Sequence, residues 1–238
     1  MSALLTASDI VSGYLNRPVL HGVSAQVAEG EVLALIGPNG HGKTTFLRTL
    51  SGFLPCRNGT FELAGQKLEN ASVHARVEAG LVHVPQGDQL FADMTVEENL
   101  LMGAYLVTDS GTVAARLDKV FALFPRLKDR RGQSASSLSG GERRMVGIGR
   151  GLMADAKLIM LDEPSLGLAP LLIEQIYEAL GALRAEGRSF LVVEENPSRL
   201  MTFADRLCLM DAGQIAWCGT TDEARQSSDI LKTYLGGH

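Results

Sequence analysis

The chain has 238 residues, a length that fits one large domain or two small ones. Hydrophobic residues make up 45% and charged residues 21% of it, a balance typical of globular proteins that excludes general disorder. The net charge of −5 argues against a dedicated nucleic-acid-binding protein, because such proteins usually need a basic surface to displace counterions from phosphates.

The sequence also bears on membrane insertion and on the state of the cysteines. No apolar run approaches the roughly 20 residues needed to cross a bilayer, and the first residues lack the basic start and apolar segment of a signal peptide. The three cysteines, Cys56, Cys208 and Cys218, are unevenly spaced and form no metal-ligand pair. We therefore expect a soluble intracellular chain whose cysteines are free thiols and not a disulfide.

The predicted elements alternate along most of the chain. The first 30 residues contain short alternating segments and, with residues 60–63 and 65–68, predict a small antiparallel β layer. Continuous apolar runs of strand length, typical of strands buried on both faces of a parallel sheet, occur at Val32–Ile36, 81–84, 158–161 and 190–193. Helical periodicity occurs at residues 44–50, 96–105, 112–124, 141–154 and 171–185.

This alternation of strands and helices predicts an α/β core with a mainly parallel sheet. The strand signal disappears between about residues 88 and 153, which predicts an all-helical insertion there. A late hairpin is predicted from two apolar segments, 207–210 and 214–217, joined by the turn Asp211-Ala212-Gly213.

A phosphate-binding motif follows the first buried strand. The pattern Gly, four residues and Gly-Lys-Thr lies between a strand and a helix, where glycines let backbone N–H groups curl around phosphates and the helix N-terminus adds its positive dipole end. We expect Lys43 to reach the β- and γ-phosphates and the Thr44 hydroxyl to bind Mg²⁺. The alternative, a plain glycine-rich turn, leaves this agreement unexplained. The predicted nucleotide-binding residues are Gly37, Pro38, Asn39, Gly40, His41, Gly42, Lys43, Thr44 and Thr45.

An acidic pair ends a later buried strand. Asp162 and Glu163 follow four apolar residues, at the carboxyl end of a strand, where a P-loop protein usually places the carboxylate that serves its metal. We expect Asp162 to hold Mg²⁺ through water and Glu163 to orient and deprotonate an attacking water. A solvated acidic turn is the alternative interpretation.

The segment Leu138-Ser139-Gly140-Gly141-Glu142 opens a helix shortly before the acidic strand. It resembles the signature motif of ABC transporter ATPases, with Glu142 where Gln is more usual. The resemblance implies that Ser139, Gly140 and Gly141 bind the γ-phosphate held by the P-loop of a facing subunit, so that two chains sandwich each ATP. An ordinary helix cap is the alternative, which the order and spacing of the other motifs disfavour.

Other site residues follow from the same resemblance, which runs from Tyr14 to the final helix. Tyr14 stands where the family stacks an aromatic ring on adenine, although a lone Tyr near a strand is also typical of a core. Gln86 matches the glutamine that senses the γ-phosphate, contributes to the Mg²⁺ site and joins the core to the helical insertion. Residues 165–168 match the loop that crosses between paired subunits.

Glu195 occupies the position at which most family members carry a histidine that bonds the γ-phosphate. The resemblance makes it a candidate catalytic residue, but a carboxylate there faces a phosphate of like charge. Three arrangements avoid the repulsion: Glu195 turns away, Glu195 binds a proton, or Asn196 supplies the hydrogen bond. Hydrolysis at the chain's own P-loop is therefore left open, whereas ATP binding is expected.

A finer resemblance is to the LivF-type subunit of branched-chain amino acid importers, through residues 94–100, 138–142, 165–170 and 234–237. Gln86 departs from the Glu that is common in that subfamily and matches the urea-type relatives. Arg143 and Arg144 replace the usual pair of glutamines after the signature motif.

The resulting prediction is a single ABC-type ATPase domain over residues 1–238. Its α/β fold has a P-loop NTPase core of the RecA-like type with a small antiparallel β subdomain (about 1–87 and 154–238) and an α-helical subdomain (about 88–153). The predicted function is to couple ATP and Mg²⁺ to the uptake of branched-chain or related amino acids. The alternatives are the ATPase of a urea or amide importer, a non-transport ABC ATPase of nucleic-acid repair, and a P-loop kinase or GTPase.

The resemblance also implies partners. We expect integral-membrane permease subunits, a second ABC ATPase subunit in a heterodimer or homodimer, a periplasmic binding protein as an indirect partner, and no nucleic acid. The expected location is peripheral, at the cytoplasmic face of the inner membrane.

Overall fold

A computed structural model describes residues 2–87, 89–195, 197 and 199–226. The strands of the described residues are β1 (Ala3–Tyr14), β2 (Arg17–Ala28), β3 (Val32–Ile36), β4 (Asn58–Leu63), β5 (Gln66–Lys67), β6 (Leu81–Val84), β7 (Leu158–Asp162), β8 (Ser189–Glu194), β9 (Arg206–Asp211) and β10 (Gln214–Thr220). Their α-helices are α1 (Lys43–Ser51), α2 (Val73–Glu78), α3 (Val96–Leu101), α4 (Ser110–Leu123), α5 (Pro125–Asp129), α6 (Gly140–Leu152), α7 (Pro170–Ala185), α8 (Leu200–Phe203) and α9 (Thr221–Gln226).

The main sheet has six strands in the order β10-β9-β3-β8-β7-β6. All neighbouring strands are parallel except the β9–β10 hairpin. Every residue of β3 and β7 is buried, as expected where helices or a second sheet cover both faces of a parallel sheet. The predicted α/β core and the late hairpin are confirmed.

The smaller sheet is antiparallel, in the order β2-β1-β4-β5. Its existence agrees with the prediction, but β1 and β2 are 12 residues each and are not the short segments expected. Register shifts between Ala7 and Ile10, where Asp9 has a φ of 53°, interrupt the apolar alternation that would have indicated one long strand.

The two faces of β3 belong to different parts of the core. Val32, Ala34 and Ile36 lie in the hydrophobic cluster that includes residues of α6 and α7. Leu33 and Leu35 lie in the cluster that includes residues of α1 and the small sheet. Because side chains alternate across a strand, β3 is fixed from both sides immediately before the P-loop.

Among the described residues between β6 and β7, the regular elements are helices joined by loops, apart from one isolated bridge between Thr95 and Ser134. The helix predicted over residues 96–105 is shorter in the structure: α3 ends at Leu101, and a 3-10 turn, Met102–Ala104, follows it. A Cβ on Gly103 would lie 1.9 Å from the Arg150 carbonyl oxygen, so the glycine permits close packing of this turn on α6. The division into subdomains at about 88 and 153 stays a prediction.

The late hairpin corrects the prediction for two cysteines. Cys208 and Cys218 form a disulfide, where the sequence predicts free thiols. That prediction is wrong because it considered spacing along the chain, whereas the β9–β10 register places these two residues directly opposite each other. Cys56 is the free cysteine of the described residues.

Two further expectations concern membrane spans and residues near the end of the chain. None of the helices in the described ranges is both long and apolar enough to cross a membrane. Asn196 and residues 234–237, on which parts of the resemblance rest, lie outside the described residues.

Candidate functional site

The predicted phosphate loop joins β3 to α1. Gly37 has a φ of 145°, and a Cβ there would lie 2.2 Å from the Met210 carbonyl oxygen, so no other residue fits without moving β9. Gly42 is the N-cap of α1 in a left-handed conformation, without a side-chain cap or an acidic residue in the first turn. The amide end of α1 is therefore free of negative charge from its own first turn, which suits an anion.

Lys43 is 4% exposed, and its ammonium donates to the carbonyl oxygens of Gly37 at 2.6 Å and Pro38 at 3.0 Å. Burial lowers the pKa of Lys43, opposed by the charges of nearby carboxylates, with Glu163 and Glu195 the strongest of them. The cation thus lies inside the loop, where a phosphate would bring the negative charge that stabilises it.

Thr44 and Asp162 connect α1 to the end of β7. The Thr44 hydroxyl donates to Asp162 Oδ1 at 3.0 Å, while Asp162 Oδ2 is buried without a hydrogen-bond partner. Burial raises the pKa of Asp162, partly offset by the Thr44 bond and by nearby cations. A hydroxyl and a carboxylate with an unused buried oxygen fit a hard, oxygen-preferring cation such as Mg²⁺.

Gln86 and Glu163 meet beside this pair. Gln86 Nε2 donates to Glu163 Oε2 at 2.8 Å, and the Glu163 N–H donates to the Val193 carbonyl oxygen at 2.9 Å. Glu163 has a φ of 47°, an uncommon conformation for a residue with a side chain. Burial and the charge of Asp162 raise the pKa of Glu163, which favours proton uptake by its carboxylate.

Glu195 follows β8 and is exposed. Its charge raises the pKa of both Lys43 and Glu163, so the side chain lies within electrostatic range of both. Asn196, the suggested substitute donor, falls outside the described residues.

Tyr14 ends β1 beside α1. Tyr14 is 42% exposed, and Arg48 of α1 donates to its hydroxyl at 3.2 Å. The exposure does not fit the alternative of a core tyrosine. Stacking on adenine stays a prediction.

The remaining loop residues differ in their surroundings. Asn39 and Gly40 are exposed, whereas Thr45 is buried. His41 Nδ1 lies 2.8 Å from Asp211 Oδ1, and the His41 carbonyl accepts the Gly213 N–H at 3.0 Å. These contacts tie the phosphate loop to the β9–β10 turn.

Ser139 is the N-cap of α6 and forms a capping box with Glu142. The Ser139 hydroxyl and backbone N–H donate to Glu142 Oε2 at 2.8 and 2.9 Å, and Arg130 lies 2.8 Å from Glu142 Oε1. Burial would raise the pKa of Glu142, but the Ser139 bonds and Arg130 lower it. Gly140 is exposed, whereas a Cβ on Gly141 would lie 2.2 Å from Leu172 Cδ1, so Gly141 also serves packing against α7.

The structure thus joins Thr44 to Asp162 and Gln86 to Glu163, with Lys43 and Glu195 close enough to affect the same charges. Ser139 is engaged with Glu142 of its own helix. Two buried charged residues hold these loops, Arg144 and Glu194. The sequence analysis noted Arg144 only as a departure from the usual glutamine and gave neither residue a role.

Glu194 supports the loop after Glu163. Its Oε1 accepts the Ser165 N–H at 3.0 Å and the Tyr177 hydroxyl at 3.1 Å, and burial raises its pKa. A carboxylate that directly follows the apolar run 190–193 could have signalled this buried role, but the sequence analysis considered only its neighbour Glu195.

Comparison with known proteins gives one family. A family model described as ABC transporter matches residues 20–166. The high-affinity branched-chain amino acid transport ATP-binding protein BraG of Pseudomonas aeruginosa is 41% identical over 230 residues, which cover 96% of this chain and 98% of BraG. LivF of Archaeoglobus fulgidus, described as a branched-chain amino acid transport ATP-binding protein, is 33% identical over 98% of this chain and 99% of its own length.

A solved structure supports the same grouping. The ADP conformation of an ATP-binding cassette from an ABC transporter superposes with a TM-score of 0.84 and 30% identity, covering 100% of both chains. The resemblance derived from residues 138–142 agrees with this result.

Proposed function

Because this chain belongs to the ABC transporter family, we propose that it is the ATP-binding subunit of an importer for branched-chain or related amino acids. It binds ATP at the P-loop and couples hydrolysis to transport through separate membrane subunits. The observation that carries the ATPase part of the proposal is the contact between Gln86 and Glu163, next to the pair Thr44 and Asp162. The choice of branched-chain amino acids rests on the 41% identity to BraG.

The proposed chemistry follows from these residues. Lys43 and the amide end of α1 bind the β- and γ-phosphates, while Glu163 accepts the proton of an attacking water that Gln86 helps to orient. Because its pKa is raised, Glu163 is better suited to act as a general base than an exposed carboxylate with an ordinary pKa. Tyr14 stacks on adenine.

Thr44 and Asp162, with Gln86, would hold Mg²⁺. The bound ion supplies positive charge that offsets the negative charge of the phosphates. Asp162 Oδ2, buried and without a partner, is the oxygen most suited to it, directly or through water.

The membrane subunits dock on a groove between the core and the helical segment. This groove has a volume of about 550 Å³, and its lining includes Pro85, the neighbour of Gln86. The lining of the groove includes exposed apolar side chains, which mark interaction surfaces. These side chains lie beside the loop that carries Gln86, so docking can influence the site. The lining includes His83, Phe91, Met102, Tyr105 and Arg150.

A second ATPase subunit completes each site. Ser139, Gly140 and Gly141 bind the γ-phosphate held by that subunit, which is another copy of this chain or a related chain. Leu166, in the loop after Glu163, is 52% exposed and lies on the surface expected to meet the partner. The complex works at the cytoplasmic face of the inner membrane, and a periplasmic binding protein delivers the amino acid.

Uptake measurements test the proposal. In the source organism, deletion of the gene should abolish high-affinity uptake of labelled leucine, isoleucine or valine, and wild-type protein should restore it. Glu163→Gln should not restore uptake, whereas Glu174→Gln, at an exposed position of α7, should. Unchanged uptake of all three amino acids with loss of urea uptake would favour the urea importer instead.

A further inference from the structure

Arg144 is a buried arginine on α6, only 4% exposed, whose guanidinium lies among the loops of the candidate site. Its Nη1 donates to the carbonyl oxygens of Pro85 at 2.8 Å and Gly87 at 2.9 Å. Its Nη2 donates to the Asp162 carbonyl oxygen at 2.7 Å, and its Nε to that of Pro164 at 3.3 Å.

These four carbonyls have a common arrangement. Pro85 and Gly87 are the neighbours of Gln86, and Asp162 and Pro164 are the neighbours of Glu163. One guanidinium therefore holds the backbone on both sides of each residue of the Gln86–Glu163 pair, whose side chains meet at 2.8 Å.

The two loops need such support. Glu163 has a φ of 47°, and a strained backbone conformation persists only where the surrounding structure fixes it. Gln86 is an exposed loop residue, whose side chain depends on the backbone for its direction. The planar guanidinium has five N–H donors in a fixed geometry, which lets it serve carbonyls from two loops at once.

We propose that Arg144 is a positioning residue for ATP hydrolysis, which keeps Gln86 and Glu163 in contact by fixing the backbone on both sides of each. This inference rests on the proposed function, in which those two residues act on water. Arg144 lies on α6, whose N-cap is Ser139 and whose first turn contains Gly141, so the helix proposed to meet the partner's nucleotide is tied directly to the residues that act on the chain's own.

The first test replaces Arg144 with residues that offer fewer donors. Arg144→Met retains bulk but removes every donor, and Arg144→Gln retains two N–H groups. We expect kcat for ATP to fall roughly 10- to 100-fold in Arg144→Met, the size of effect seen when reacting groups are misplaced by about 1 Å. Arg144→Gln should fall between that variant and the wild type, and KM for ATP should stay within about twofold in both.

Arg76 provides a matched control. It is 3% exposed and also donates to four carbonyl oxygens, at 2.6 to 3.0 Å, but these belong to the end of α1 and to the segment before α2. Arg76→Met should lower the melting temperature about as much as Arg144→Met while leaving kcat per folded molecule unchanged. The four acceptors are Thr49, Leu50, Glu69 and Ala71.

A double-mutant cycle with Gln86→Ala separates positioning from a general structural effect. If Arg144 acts through the Gln86–Glu163 contact, Arg144→Gln should cost much less kcat in the Gln86→Ala background than in the wild type. Multiplicative losses would overturn the inference, as would a wild-type kcat in Arg144→Met or an equal fall of kcat in Arg76→Met. The proposed function fails separately, if the wild type in its assembled transporter does not hydrolyse ATP or if Glu163→Gln retains the wild-type rate.

Discussion

The N-termini of α1 and α6 are both candidate phosphate sites, but the chain treats them differently. α1 begins after Gly42 without a side-chain cap and without an acidic residue in its first turn. α6 begins after Ser139, and a capping box with Glu142 closes its first turn. Both helix ends offer the same positive dipole end, so the difference lies in the side chains.

This difference predicts different modes of binding. At α1, Lys43 adds a cation to a helix end free of first-turn carboxylates, so we expect it to bind phosphate within a single chain. At α6, the Ser139 hydroxyl already donates to Glu142, and a phosphate from a partner must take that hydroxyl and tolerate a nearby carboxylate. Arg130, 2.8 Å from Glu142, reduces that repulsion. If the proposed function is right, α1 should provide affinity and α6 should sense the partner's nucleotide.

Glu163→Gln should have the largest effect and keeps both helix ends intact. The amide can orient water but cannot accept a proton, so we expect kcat to fall roughly 10²- to 10⁴-fold while ATP binding is retained. Gel filtration should show an ATP-dependent dimer in which the N-termini of α1 and α6 both bind the nucleotide. The dimer is formed by two copies of this chain or by this chain and the partner ATPase. Wild-type turnover in this variant would place the base elsewhere.

Ser139→Arg perturbs only the α6 end. A bulky side chain at the helix start denies the facing γ-phosphate its donors, so turnover in the partner's site should fall on the order of 10²-fold. Nucleotide affinity of the isolated monomer should stay nearly unchanged, measured with a fluorescent ATP analogue. Ser110→Arg, at the start of α4, is the control; loss of monomer binding in Ser139→Arg alone would mean that the motif acts within one chain.

Lys43→Ala perturbs only the α1 end. Removing a charged donor to phosphate should weaken ATP affinity of the monomer roughly 10- to 100-fold. Lys67→Ala, in the exposed strand β5, should bind normally in the same titration. Equal affinities for the two variants would contradict the assignment of the P-loop.

Glu142→Gln tests whether the carboxylate causes the difference between the helix ends. The amide oxygen can still accept the Ser139 bonds, but the negative charge near the partner's phosphate is lost. We expect ATP-dependent dimerisation in the Glu163→Gln background to strengthen by about two- to fivefold, in line with charge effects of 0.3–1 kcal/mol at helix ends. Arg130→Gln should weaken it, because Glu142 loses the cation beside it; a change in the same direction in both variants would refute the charge argument.

Glu195→His should have the smallest effect. A histidine can donate to the γ-phosphate, whereas the carboxylate repels it, although exposure of Glu195 screens that repulsion. We expect the ATPase rate of the isolated chain to rise a few-fold, because the interaction free energy of an exposed charge pair corresponds to a change of about that size. Glu195→Gln should give a smaller rise or none. Phosphate release by the three proteins decides the matter, and a brisk wild-type rate that falls in Glu195→His would show that Glu195 takes an active part.

Short-range patterns determined much of this protein. The run Val32–Ile36, entirely apolar, predicted a strand buried on both faces, and the glycines with Lys43 and Thr44 predicted the turn into α1. These inferences succeed because the spacing of buried apolar residues and the residue types of a turn depend on neighbours a few positions apart. The order and spacing of the motifs then indicated the family, which the comparisons confirm.

Tertiary structure decided what depends on distant residues. Arg144 meets the carbonyls of Pro85 and Asp162, and Cys208 bonds to Cys218, through loop placement and strand register that no local pattern encodes. Glu163 adopts a positive φ that propensity argues against. A buried guanidinium needs acceptors, and a strained residue needs support. Only the folded chain brings the acceptors and the support together, because they come from segments about 20 to 80 positions apart.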